Sequence, residues 1–291
     1  MIKFKHFFYV LIVSIALYSC GDNGTSNVDN FDHAAQALID NDSLVKFLKN
    51  NYYNEVTDAV EVLEDGKTPL YNDDKLVTKE VTENDIKYTL YYYVNRVGTP
   101  DPVKGNPTVM DSVLTKYNGK RIVNSKTLSS SFDSRVSWLT LSDVIVGWRQ
   151  SFIHFKGGKK ATLPDGPLNY ENGGKGIIFI PSGLAYRNIG NGSIPGNAIL
   201  MFYIDLWDVI ENTDHDRDHV PSIFEDPDGD GNPKNDDTDN DGVPNYLDVD
   251  DDNDAVLTKN EDRNKDGDPR NDFNDPNNPT LPDYLNRKIR N

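Results

Sequence analysis

The chain has 291 residues, with 47 Asp and Glu against 30 Lys and Arg, a net charge of -17 and one cysteine. A pI near 4.6 offers no electrostatic footprint for nucleic acid, and a lone thiol forbids an internal disulfide. With 36% hydrophobic and 10% aromatic residues the chain can bury a core, which excludes a wholly disordered or collagen-like protein.

The charge is unevenly held. Residues 211–291 carry 24 acidic against 9 basic side chains, whereas residues 1–210 carry 23 against 21, so two physically different segments share one chain.

In chain order, Lys3 and Lys5 precede the apolar run from Phe7 to Leu17. That run is shorter than the ~20 residues a membrane-spanning helix needs, and residues 1–19 read as an export signal. Leu17, Ser19, Cys20 and Gly21 resemble the bacterial lipobox, and the resemblance implies lipid attachment at Cys20 and a place in the cell envelope, on the outer membrane. The plainer alternative is a signal peptide with an incidental cysteine. Residues 20–31 are polar and read as a tether. Ala34, Ala35, Leu38, Ile39, Leu44, Phe47 and Leu48 recur at helical spacing, which predicts two short helices separated at Asp42 or Ser43 within a helical segment 32–84 that serves packing.

From Asp85 the period changes to two. Strands are predicted from Ile86 to Val94 and from Val109 to Tyr117, with Gly98, Pro100, Pro102, Gly105 and Pro107 in the loop between them. Phe132 is followed directly by Asp133. Ser142 or Asp143 can cap a short helix whose apolar face holds Ile145, Trp148, Phe152 and Phe155. A fully apolar strand from Ile177 to Ile180 leads into Pro181, Ser182, Gly183, Leu184, Ala185 and Tyr186, then Ile194 and Pro195, then an alternating strand from Ile199 to Val209 that includes Phe202. This pattern predicts a half-wrapped antiparallel sheet with a helix on one face.

Residues 85–210 resemble the FKBP-type peptidyl-prolyl isomerases. The specific parts are Val144-Ile145-x-Gly147-Trp148, the loop Pro181-Ser182-x-Leu184-Ala185-Tyr186, and Ile194-Pro195 followed by Phe202. The resemblance implies an α+β fold, an antiparallel half-barrel sheet wrapped on a short helix. It implies a proline pocket walled by Tyr117, Phe132 and Asp133, floored by Trp148, rimmed by Val144 and Ile145, and completed by Tyr186, Ile194 and Phe202. Trp138 is a candidate for a further pocket aromatic. Three departures stand out: Arg187 where the family usually has glycine, a loop tip shortened at Asn191–Ser193, and an insertion over 156–175. Aromatic residues on strands and a helix face are ordinarily core. Their joint order, with Asp133 beside Phe132, is what points to a site. Such a site needs no nucleophile, metal or cofactor, and Asp133 would act through its field.

The acidic tail, residues 211–291, is periodic. Asp226, Asp228 and Asp230 precede Gly231; Asp237, Asp239 and Asp241 precede Gly242; Asp262, Asn264 and Asp266 precede Gly267; and Asp248, Asp250, Asp251, Asp252 and Asp254 form a denser set. Alternate oxygen ligands followed by glycine suit a calcium loop. The expected ligands are Asp226, Asp228, Asp230, Asp237, Asp239, Asp241, Asp248, Asp250, Asp252, Asp262, Asn264 and Asp266. The pattern resembles thrombospondin type 3 repeats more than EF-hands, since no flanking amphipathic helices are visible and glutamate is missing at the loop end. A solvated acidic tail is the simpler alternative.

Together these readings predict a lipid-anchored isomerase that assists proline-containing unfolded or envelope proteins, with calcium ordering its tail. The alternative is a calcium-dependent binding or assembly module whose isomerase-like pocket turns over poorly.

Overall fold

The computed structural model of the protein describes residues 29–161 and 169–290; the predicted export signal, Cys20, most of the predicted tether and the tip of the predicted 156–175 insertion lie outside the described residues. The first element is one continuous helix, α1 (His33–Asn50), where two were predicted. Asp42 does not cap a second helix, because its carboxylate takes Lys46 Nζ one turn on, at 2.5 Å.

The predicted helical segment 32–84 also changes after α1. A hairpin of β1 (Asn51–Asn54) and β2 (Ala59–Val62) follows, and then β3 (Leu76–Glu83), which pairs along its whole length with β4 (Ile86–Arg96). The alternation Leu76-Val77-Thr78-Lys79-Glu80-Val81 and a two-residue turn at Asn84 and Asp85, both at positive φ, make this a hairpin. The sheet therefore begins before residue 85.

The remaining strands are β5 (Ser112–Asn124), β6 (Thr127–Leu128), β7 (Asp133–Thr140), β8 (Lys159–Ala161), β9 (Asn169–Glu171), β10 (Gly174–Ile180) and β11 (Leu200–Ile210). The main sheet is antiparallel in the order β3-β4-β10-β11-β5-β6, with β7 on β5. β5 starts later than predicted because Asp111, fully buried, turns the chain by accepting from Thr108 N at 2.7 Å and Thr213 N at 3.1 Å. β8 and β9 form a separate hairpin within the insertion.

The apolar half of β10, Ile177 to Ile180, is buried on both faces. Ile178 and Ile180 enter one core with Trp148, Phe152, Leu200, Phe202 and Ile204, while Ile177 and Phe179 enter a second with Leu44, Phe47, Leu48, Tyr93 and Met201. The first core is covered by the short helix α2 (Val146–Phe152) and the second by α1. Both faces are thus clad, where sequence alone predicted one. Gly147 lets α2 approach: a Cβ there would lie 2.4 Å from Ile180 Cγ2.

After β11 the acidic region folds as a chain of loops and single 3-10 turns at Ser222–Phe224, Pro233–Asn235, Asn245–Leu247, Thr258–Asn260, Pro269–Asn271 and Asp283–Leu285. The described residues from His33 onward form one compact unit. Among the described residues no helix is long and apolar enough to cross a membrane.

Candidate functional site

The concave face of the sheet brings the predicted aromatics together. Tyr117 lies on β5, Asp133 opens β7 with Phe132 just before it, Trp148 sits in the first turn of α2, and Phe202 is on β11. Register explains the meeting: Gly119 of β5 stands opposite both Asp133 and Phe202. A Cβ on Gly119 would lie 2.6 Å from the Phe202 ring and 2.7 Å from the Phe132 ring. The absent side chain is what admits both rings.

The rings meet edge to face. Centroids are 5.0 Å apart for Trp148 and Phe202, 4.9 Å for Tyr117 and Trp148, and 5.6 Å for Phe132 and Phe202, the arrangement that pairs a positive ring edge with a negative face. They line a cleft of about 320 Å³ together with Asp133, Val144, Ile145 and Tyr186. Ile194 is buried in the same core but does not line the cleft. Trp138 is 45% exposed and outside it; its neighbour Leu139 lines the cleft instead, because adjacent strand residues point to opposite faces.

Ser142 and Asp143 do not cap α2 as predicted. They belong to a separate 3-10 turn, Leu141–Asp143, and Ile145 occupies the cap position without a side-chain bond. Asp143 instead lines the cleft, as do Arg135 and Asn191.

One polar chain crosses the rim. Arg135 Nε donates to the Tyr117 hydroxyl at 2.6 Å, and that hydroxyl donates to Asp133 Oδ2 at 2.6 Å. Burial and then the bond to Asp133 raise the Tyr117 pKa, while Arg135 opposes them. The phenol therefore stays protonated and fixes the Asp133 carboxylate. Arg135 was not identified from sequence, yet its place two residues after Asp133 on a strand, on the same face, was the available signal.

The loop carrying Tyr186 is held by α1. Asp40, buried in the middle of that helix, accepts from Ser182 N at 2.7 Å and from Ser182 Oγ at 2.6 Å. Burial raises its pKa, and the bonds from Ser182 and Gln36 work against that. The helix thus positions a cleft loop as well as packing. Arg187 has φ 53, in the left-handed region that favours glycine, so a glycine is the less strained choice at this turn.

The acidic region repeats one loop. The first carboxylate of each loop accepts from the backbone N–H five residues on: Asp214 from His219, Asp226 from Gly231, Asp237 from Gly242, Asp250 from Ala255 and Asp262 from Gly267. That residue is left-handed every time, with φ from 75 to 99. Glycine marks three of the loops; His219 and Ala255 take its place in the other two, so the loops starting at Asp214 and Asp250 lack the full signature.

Carboxylate oxygens converge within 4.8 Å in Asp226-Asp228-Asp230, Asp237-Asp239-Asp241 and Asp250-Asp252-Asp254, and also in Asp214-Asp216-Asp218. Asp248 joins none of these groups. Asp262, Asn264 and Asp266 fold into the same loop, with Asp266 N donating to Asn264 Oδ1 at 2.8 Å. A loop-end glutamate is present after all: Glu225 and Glu261 are both fully buried. Buried oxygens of Asp236, Asp239, Asp252, Asp254 and Glu261 have no hydrogen-bond partner, which is unfavourable for carboxylates and suits a hard cation ringed by oxygen. The region is folded and compact, not an expanded tail.

The acidic region also touches the cleft rim. Lys234 Nζ donates to Ser142 O at 2.8 Å, and His215 Nε2 lies 3.2 Å from Ser142 Oγ.

Residues 104–207 match the model described as FKBP-type peptidyl-prolyl cis-trans isomerase. The chain is 30% identical over 163 residues to the FKBP-type peptidyl-prolyl cis-trans isomerase FkpA of Aeromonas hydrophila, covering 56% of this chain and 52% of that protein. It is 28% identical over 120 residues to FkpA of Buchnera aphidicola subsp. Schizaphis graminum, covering 41% and 40%. The chain therefore spans about half the length of the curated relatives it matches. The crystal structure of FkpA from Escherichia coli is 21% identical over 72% of this chain and 74% of that one, with a TM-score of 0.34. Beyond that stretch, residues 215–284 match a second model, described as BamM C-terminal.

Proposed function

We propose that the FKBP-type domain of this protein catalyses cis-trans isomerisation of X-Pro bonds in exported or envelope polypeptides. The observation that carries this reading is the cleft in which Trp148, Phe202, Phe132 and Tyr117 meet edge to face beside a carboxylate fixed by a phenol.

Amide resonance sets a rotational barrier of ~18–20 kcal/mol, and an X-Pro bond left alone isomerises over tens to hundreds of seconds. The twisted transition state has lost resonance and much of the amide's charge separation. An apolar cleft therefore stabilises it relative to the planar, dipolar ground state. The proline ring would seat on the Trp148 indole between the other rings. The Tyr186 hydroxyl and the Ile145 N–H would hold substrate carbonyls while the bond turns. Asp133, acceptor-only and held by Tyr117, biases the field at the rotating carbonyl. It is a positioning charge, and no proton transfer is required.

The rest of the proposal concerns setting. Cys20 would carry a lipid that anchors the chain to the envelope, with the tether holding the domain clear of the membrane. The acidic region would bind calcium through Asp226, Asp228 and Asp230, through Asp237, Asp239 and Asp241, through Asp250 and Asp252, and through Asp262, Asn264 and Asp266. Such an ion supplies the positive charge that lets crowded carboxylates stay ionised.

A peptide isomerisation assay tests the central reading. The wild type should accelerate exchange, and Asp133→Ala or Phe132→Ala should lower the rate about tenfold or more, the equivalent of ~1.4 kcal/mol, with the fold retained by circular dichroism. A folded wild type without acceleration would leave the calcium-dependent binding module as the better account. For the anchor, Cys20→Ala should shift the protein from the membrane to the soluble fraction; unchanged fractionation would remove that part.

A further inference from the structure

Within the first acidic loop, Asp214, Asp216 and Asp218 bring one oxygen each within 4.8 Å of one another, and Asp218 also converges with Glu225 and Asp251 within that distance. Asp218, Glu225 and Asp251 are 1%, 0% and 1% exposed. Asp214 accepts from Arg217 N and His219 N, whereas Asp216, Asp218 and Asp251 each tie one oxygen and leave the other bare. Asp218 Oδ1 accepts from Val220 N at 2.7 Å, Asp216 Oδ1 from Asp218 N at 3.3 Å, and Asp251 Oδ2 from Thr258 Oγ1 at 2.8 Å. The second oxygens of all three, and both oxygens of Glu225, are buried with no hydrogen-bond partner.

Asp251 reaches this place because of its position in a different loop. Asp250, Asp252 and Asp254 turn toward one another, and the residue between the first two faces the opposite way, toward Asp218 and Glu225. Buried, unpartnered carboxylates of like charge have no stable arrangement without a cation or protons. Glu225 stands twelfth from Asp214, with Asp216 third and Asp218 fifth, which is the spacing by which oxygen ligands surround calcium in a single loop.

We propose that Asp214, Asp216, Asp218, Glu225 and Asp251 form a divalent-cation cage, of the calcium class, that fastens the first loop of the acidic region to the loop beginning at Asp250. The inference rests on the calcium reading of the acidic region for the identity of its ion. All donors are oxygens, which excludes soft-metal chemistry, and their number suits calcium better than magnesium, which keeps much of its water. The caged loop also carries His215, whose Nδ1 meets Ser222 Oγ at 2.8 Å and whose Nε2 reaches Ser142 beside the cleft. The ion therefore holds the joint between the acidic region and the FKBP-type domain.

The test is calcium binding to the chelator-treated full chain by calorimetry. Glu225→Gln and Asp251→Asn should each remove one ion or weaken one site by about tenfold or more, and Asp239→Asn, in another loop, should leave that site intact. Wild-type stoichiometry and affinity in both cage variants would overturn the cage while the other loops kept their calcium. A wild type that binds no calcium would overturn both readings.

Because a cage variant can fail to fold, terbium provides a second readout. Tyr284 is buried, with its pKa raised by burial and then by the charges of Asp251, Glu225 and Asp218. The Tyr246 ring meets His215 of the caged loop at 5.4 Å. Tyr246→Phe and Tyr284→Phe together should therefore cut tyrosine-sensitised terbium emission markedly. Unchanged emission would contradict an ion at this place.

Discussion

The cleft and the acidic cage are both buried, and they use burial in opposite ways. In the cleft, Trp148, Phe202 and Tyr117 gain from leaving water, and the rim carboxylate Asp133 is partly exposed and paired with Tyr117. In the cage, Glu225 and Asp251 are driven into the interior among like charges, where burial and then neighbouring carboxylates push Glu225 up to about 11, and burial pushes Asp251 up to about 9. Burial of rings stabilises by itself. Burial of carboxylates stabilises only when something else supplies positive charge.

Chelation should produce the largest effect. Removing calcium should open the acidic region to protease within residues 211–290, while the near-ultraviolet circular dichroism of the ring cluster persists; one site saturated a hundredfold over its Kd stabilises by about 2.7 kcal/mol. Equal protease resistance with and without chelator would erase the contrast between the two regions.

Acidity sharpens the contrast next. In chelator the folded carboxylates Glu225, Asp251 and Glu261 hold protons that the unfolded chain releases near pH 4, since burial lifts Glu261 to about 9 as well. Stability of the ion-free acidic region should be full below about pH 4 and be lost as pH rises through about 9 to 11. With calcium the sign reverses, because the ion requires the ionised forms. Thermal melts at pH 5 and pH 8, in chelator and in calcium, check the crossover.

Two smaller changes probe the cleft. Gly119→Ala forces a methyl against the Phe202 and Phe132 rings and should cost about 1–3 kcal/mol together with part of the isomerase rate. Arg135→Gln removes a donor to Tyr117 and should lower the rate only a few-fold, consistent with ~0.5–1.5 kcal/mol for a hydrogen bond. A larger loss from Arg135→Gln than from Asp133→Ala would make Arg135 the governing charge.

The cleft was legible because each of its residues carries a local mark. Trp148 follows a glycine that lets its helix touch Ile180, Phe132 adjoins an aspartate, and Phe202 lies on an alternating strand. What escaped notice depends on partners far away in sequence. Asp40 reads as one more polar helix residue until Ser182 meets it 142 positions later. Hairpin β3 was hidden in a segment whose helical start set the expectation. In the acidic region the glycine signature found three loops and missed the one at Asp214, where His219 takes the left-handed turn. Asp251 was counted within a dense run because alternation alone does not say which loop a residue faces.

The central claim is that apolar rings and a fixed rim carboxylate turn the X-Pro bond without proton chemistry. Exchange spectroscopy on a proline peptide across pH 6 to 8, comparing wild type with Trp148→Ala, tests it most directly. The account predicts acceleration that is flat with pH in the wild type and abolished in the variant. Acceleration that survives loss of the indole, or that follows a titration across this range, would contradict it.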